Sequence, residues 1–237
     1  MTTNEEVQLV IIPGIGEDNR MAYPQHSLPY NIIALGYIEP LPKESLAEYS
    51  KRYAQLLIET NTIDLTKPLF LMGVSLGGAI VQEMSCAIKA NGVILISTYR
   101  SSKELGSPLP FLGKYVSPLL PKAVYQFATL LAAFVIPTFA KLSKEDLALC
   151  SAMYRDHPKN WFRRFCYMAT TWPGCTLHTP KLRIHGAKDP IMPHWKRDEI
   201  DILIPDDMHM CNLTNKELVN VKIQEFITSQ LSTTDTL

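Results

Sequence analysis

Gly73-Val74-Ser75-Leu76-Gly77 sets a hydroxyl between two glycines, and Gly78 extends the run. By average usage a Gly-x-Ser-x-Gly string arises by chance in roughly one chain in ten of this length, so its surroundings decide its meaning. It follows a continuous apolar run, Pro68 to Met72, and opens a helical pattern carrying Ile80 and Met84. A turn this tight between a buried strand and a helix lifts the serine hydroxyl above the sheet edge. It also aims the next backbone N–H, that of Leu76, at the same point. The bland alternative is a glycine-rich β–α turn with an N-capping serine.

A serine hydroxyl is a weak nucleophile at neutral pH, so it needs a base, and the base needs an orienting acid. His185-Gly186-Ala187-Lys188-Asp189-Pro190 follows the apolar run Leu182 to Ile184, and Pro205-Asp206-Asp207-Met208-His209 follows Ile200 to Ile204. Asp189 falls just past one strand end, in a turn bounded by Gly186 and Pro190. His209 falls past the next, ahead of the last helix. Asp206 and Asp207 are rival acids, but reaching Nδ1 of a histidine so close in sequence needs a contorted loop. Asp189 alone also reads as an Asp-Pro turn residue. His185 reads as a packing or support residue, and His26, His157, His178 and His194 have no partner that spacing identifies. Charge developing on a carbonyl oxygen calls for two N–H donors. Leu76 supplies one. The loop Pro13-Gly14-Ile15-Gly16-Glu17 should supply the other, with Ile15 the candidate; an ordinary βα turn is the alternative.

These residues need elements to carry them. Val7 to Ile12, Asn31 to Leu35, Pro68 to Met72 and Val93 to Ile96 are short continuous apolar runs, as strands buried on both faces read. Between them Leu46, Tyr49, Tyr53, Leu56 and Leu57 share one helix face, and Ile80, Met84, Ala87 and Ile88 another. From Thr98 to Thr179 no clean strand is visible. Prolines punctuate helix-like runs such as Ala123 to Val135, and Ser143 with Asp146 marks the start of a helix over 144–155. Alternation resumes with the runs Leu182 to Ile184 and Ile200 to Ile204. A last helix is expected from Thr214, capped by Glu217 and buried through Val219, Ile223, Phe226 and Ile227, with a polar tail fraying after Ser229. The pattern predicts an α/β fold: a doubly wound, mostly parallel sheet of about six strands. The core comprises residues 1–97 and 180–237, with a helical insertion at 98–179.

Composition narrows the function. The 237 residues are 46% apolar and 19% charged, and 23 basic residues balance 23 acidic ones. That balance disfavours a nucleic-acid binder, which lives on phosphate neutralisation. The longest apolar stretch, Ala128 to Ile136, stops at Pro137 and is far short of the ~20 residues of a transmembrane helix. Five cysteines sit singly, with no metal-ligand spacing, and the polar start Met1 to Glu6 does not read as a secretory signal. A reducing, cytoplasmic setting is expected.

Through the elbow Gly73–Gly78, the segment His185 to Pro193 (HGAKDPIMP) and His209, the chain resembles the α/β-hydrolase superfamily over nearly its whole length. The resemblance implies a triad of Ser75, Asp189 and His209, and a cap formed by 98–179 after the sixth strand of the family's sheet. The family's first two strands have no room before Val7, and Pro13-Gly14 stands where His-Gly is frequent. The expected activity is a serine hydrolase that cleaves carboxylic esters of small, largely apolar substrates through an acyl-enzyme, with no metal or organic cofactor. Thioester, lactone or carbon–carbon cleavage by the same triad remains open, as does a non-catalytic ligand-binding or receptor module. The apolar substrate is read from the insertion: Phe127, Leu130, Leu131, Phe134, Val135 and Phe139, with aromatic Trp161, Phe162 and Trp172. The same stripes also read as cap packing, or as a surface for a homodimer or lipid.

Overall fold

The computed structural model describes residues 6–116, 119, 121, 123–124, 127, 131–194 and 199–234. Six strands run parallel: β1 (Gln8–Ile12), β2 (Asn31–Ala34), β3 (Leu69–Val74), β4 (Gly92–Ile96), β5 (Lys181–Gly186) and β6 (Ile202–Ile204). Their order in the sheet is β2-β1-β3-β4-β5-β6. β1, β3 and β4 are buried along their whole length, which is why they read as unbroken apolar runs. Successive side chains alternate between the two faces. Leu9, Ile11, Phe70, Met72 and Ile94 pack on one side; Val10, Ile12, Leu71, Val93 and Leu95 pack on the other. Each such fully buried side chain contributes on the order of 1.5–3 kcal/mol.

Helices α1 (Leu46–Glu59) and α2 (Leu76–Ala87) cover the second face. α1 begins at a capping box: Ser45 Oγ accepts the Glu48 N–H, and the Glu48 carboxylate accepts the Ser45 N–H at 2.8 Å. The buried face of α1 holds Leu46, Tyr49, Tyr53 and Leu57, whereas Leu56, expected with them, is exposed. Ala87 at the end of α2 is likewise exposed, whereas Ile88, the extended residue that ends the helix, is buried. The connection between β4 and β5 holds α3 (Lys144–Asp156) and α4 (Lys159–Thr171). Ser143 caps α3, its Oγ accepting the Asp146 N–H at 3.0 Å. Of the run Ala123 to Val135, Ala132–Val135 is a helical turn; Leu130 lies outside the described residues.

The last helix, α5 (Lys216–Thr234), covers the first face through Val219, Ile223 and Ile227. The expected cap at Thr214 is not formed. Thr214 belongs to a preceding turn, Cys211–Thr214, and its hydroxyl donates to the Asp207 carboxylate at 2.7 Å. Nor does the helix fray after Ser229; it continues to Thr234. Among the described residues no helix is long and apolar enough to cross a membrane.

Candidate active site

The strand order reverses between β1 and β3, so the connections leaving their C-terminal ends diverge and open a crevice. In doubly wound sheets such crevices are where ligands bind. Ser75 follows β3 directly and precedes α2, with φ of +52°. A non-glycine residue in that region stores about 1–3 kcal/mol of strain, and hydrogen bonds on both sides hold it there. The Ser75 N–H donates to Ile96 O at 2.9 Å, and Ser75 O accepts from Gly78 N–H at 3.0 Å and Thr98 Oγ1 at 2.5 Å. Glycine is required at 77 because a Cβ there would strike the Ile12 and Pro13 carbonyl oxygens.

Ser75 Oγ lies 3.0 Å from His209 Nε2, and His209 Nδ1 lies 2.7 Å from Asp189 Oδ2. All three side chains are buried. Asp189 Oδ1 accepts the N–H groups of Ile191 and Met192, both at 2.9 Å. That leaves Oδ2 for histidine. Burial raises the Asp189 pKa, but the His209 and His185 imidazoles outweigh it and hold the carboxyl below its ordinary range. An ionised carboxylate takes the Nδ1–H of a neutral imidazole, an arrangement that leaves Nε2 able to accept the Ser75 hydroxyl hydrogen.

Neither rival acid reaches this histidine in the contacts that hold it. Asp206 is exposed and pairs with Lys188 at 2.8 Å. Asp207 accepts from Thr214 Oγ1, Asn215 Nδ2 and the Met208 N–H, which shapes the loop ahead of His209. His185 is buried, its Nε2 3.3 Å from Asp189 Oδ2 and 2.7 Å from Met192 O. Phe139, in the insertion, accepts the His209 N–H at 3.0 Å and sets its ring edge-on to the imidazole.

Leu76 and Ile15 both line a cavity of about 340 Å³ that opens at Ser75. Its other walls come from Leu105, Leu109, Leu112, Ala169 and Met192, and it is almost wholly apolar. Two larger grooves, about 770 and 580 Å³, lie elsewhere and do not include Ser75. The lining differs from the sequence expectation. Phe127, Phe134 and Val135 are exposed, Trp172 packs on Tyr99 and donates to Glu83, and Phe139 serves the histidine. The lining comes instead from Leu105 to Val116, from α4 and from Ile191 and Met192, where no apolar stripe marks it in the sequence. Among the described residues no group of three or more His, Cys, Asp or Glu could hold a metal ion.

A buried acid that the sequence does not mark as such also lies at this site. Glu17 is 4% exposed, and its Oε2 accepts the Gly14 N–H at 2.8 Å. Burial pushes its pKa up to about 7, against the opposing pulls of that N–H and of His209. A polar residue in a loop carries no sequence signal of burial.

No protein-family model matches the sequence, and no curated protein matches it. Solved structures do. An esterase from Thermogutta terrifontis, solved with malate bound, gives a TM-score of 0.75 at 17% identity, over 96% of this chain and 92% of that one. MenH from S. aureus gives 0.73 at 14% identity, over 96% and 95%. The esterase EaEST from Exiguobacterium antarcticum gives 0.70 at 14% identity, over 95% and 93%.

Proposed function

Since the chain has the α/β-hydrolase fold, we propose that it is a serine hydrolase acting on carboxylic esters with an apolar acyl or alkyl group. One observation carries the reading: the run Ser75 Oγ, His209 Nε2, His209 Nδ1 and Asp189 Oδ2, linked at 3.0 and 2.7 Å. Ser75 attacks the ester carbonyl while His209 takes its proton. Asp189 keeps the imidazole in the needed tautomer and stabilises its cation. The N–H groups of Leu76 and Ile15 hold the oxyanion. The tetrahedral intermediate collapses, His209 returns the proton to the leaving alkoxide, and the alcohol departs. Water, deprotonated by His209, then splits the acyl-enzyme and frees Ser75. The apolar cavity beside Ser75 supports an apolar group over a sugar or a charged one. In this reading residues 98–179 act as the cap, contributing Leu105, Leu109, Leu112 and Ala169 to the cavity.

The test is labelling with a fluorophosphonate probe, followed by a panel of oxygen esters, thioesters and lactones. Wild-type protein should be labelled and Ser75→Ala should not. Wild-type protein left unlabelled would favour a ligand-binding module, and faster turnover of thioesters or lactones would move the substrate class.

A further inference from the structure

The hydrolase chemistry proposed above leaves one buried acid beside the nucleophile without a task. Glu17 closes the turn 14–17 at both ends: its N–H donates to Gly14 O at 3.1 Å, and its Oε2 accepts the Gly14 N–H at 2.8 Å. Ile15, the oxyanion donor of our reading, lies inside that turn. Gly14 is wedged between the acid and the nucleophile. A Cβ built on it would lie 2.8 Å from Glu17 Oε2 and 3.4 Å from Ser75 Cβ. The turn is walled by the Tyr154 ring against Gly16 and by Tyr37, whose hydroxyl donates to Pro13 O at 2.7 Å.

We propose that Glu17 is a positioning residue for the reaction: its carboxylate braces the turn that presents the Ile15 N–H to the oxyanion, and it faces the His209 imidazole that becomes cationic as Ser75 attacks. The proposal rests on the serine-hydrolase reading. Both effects follow from charge. An anion accepts an N–H roughly twice as strongly as a neutral acceptor does, and a buried anion favours a nearby cation. Both are felt when charge develops, so they act on kcat more than on KM. The titratable groups facing Glu17 are Asp18 on its own loop, Tyr37 after β2, Cys150 and Tyr154 on α3, and His209 after β6. Burial raises the tyrosines and the thiol, so they stay neutral. With its own pKa pushed up to about 7, Glu17 changes charge within the working range of the enzyme.

The experiment compares wild type, E17Q and E17A by kcat, KM and fluorophosphonate labelling rate from about pH 5 to about pH 9. Wild-type kcat should fall more steeply below pH ~7 than that of E17Q, by the one proton that Glu17 takes up. E17Q, whose amide oxygen still accepts the Gly14 N–H, should lose that proton from its slope and keep kcat within about tenfold of wild type at alkaline pH. E17A should lose about 10²-fold in kcat with KM little changed, as when an oxyanion donor is lost. Rescue of most of that loss by E17Q, together with the change in slope, separates positioning from mere packing. If all three proteins label and turn over on one superimposed profile, Glu17 has no such role. If E17A fails to fold, E17Q decides alone by its slope. If wild-type protein is not labelled at all, the hydrolase reading falls and the role of Glu17 falls with it.

Discussion

Burying the Glu17 carboxyl destabilises the fold wherever the group is ionised. Its pKa in the folded protein is about 7 against an ordinary 4.5, so the folded state binds the proton more tightly than the unfolded one. Its contribution is therefore fully present below pH ~4.5 and is lost as pH rises through ~7. At 1.36 kcal/mol per pKa unit the loss is on the order of 3 kcal/mol. E17Q should melt ~5 °C or more above wild type near pH ~8.5 and close to it near pH ~4.5, by calorimetry; an equal difference at both would mean the carboxyl is not raised. Asp189→Asn makes a different prediction. The amide oxygen can still accept the N–H groups of Ile191 and Met192, so the fold should hold. Its NH₂ now faces His209 Nδ1 and forces the wrong tautomer, and kcat should fall ~10³–10⁴-fold. Asp207→Asn should leave kcat within about tenfold of wild type, since that carboxyl is engaged by Thr214 and Asn215. A collapse of activity there instead would point to the wrong acid.

At the scale of elements, loops position the chemistry and strands aim the loops. Lys188 N–H donates to Asp207 O at 2.8 Å and Ala187 N–H to Ile204 O at 2.9 Å, so the acid and histidine loops are laced together. They meet over Gly186, where a Cβ would strike the Met208 carbonyl oxygen and the Asp207 carbonyl group. Backbone cannot swing aside as a side chain can. Gly186→Ala should therefore lower kcat by more than ~10²-fold and lower the melting temperature by a few degrees, read from kinetics and calorimetry; unchanged kcat would show that the loops can part. The central strands β1, β3 and β4 are legible because burial on both faces leaves Gln8 as their one polar side chain. The start of the last helix differs from the sequence expectation for a reason of tertiary origin. Thr214 followed by Glu217 has the letters of a capping box, but the Thr214 hydroxyl is claimed by Asp207, seven residues earlier.

For the whole molecule, the sheet order decides which distant segments share a site. β1 beside β3 sets the turn 14–17 against Ser75, and β5 and β6 bring Asp189 and His209 to the same rim. The insertion then closes an apolar cavity over the serine. Ala169 lines that cavity from α4, so Ala169→Phe should cut kcat/KM for a hexanoyl ester at least about tenfold relative to an acetyl ester. An unchanged ratio across an acyl-length series would mean that the apolar group binds elsewhere.

The sequence by itself carried the alternation of strands and helices, the glycine-bound serine, and the order of serine, acid and histidine. These depend on local pattern: continuous apolar runs, and glycines where two backbones nearly touch. Which side chains line the cavity and which acid is buried beside Ser75 were decided only in three dimensions. Spacing along the chain already favoured Asp189 over Asp206 and Asp207, but the neighbours that hold each side chain in place do not follow from spacing. Those neighbours come from segments tens of residues away, as Phe139 does for His209 and Tyr154 for the turn at Gly16. No window along the chain contains both partners of such a contact.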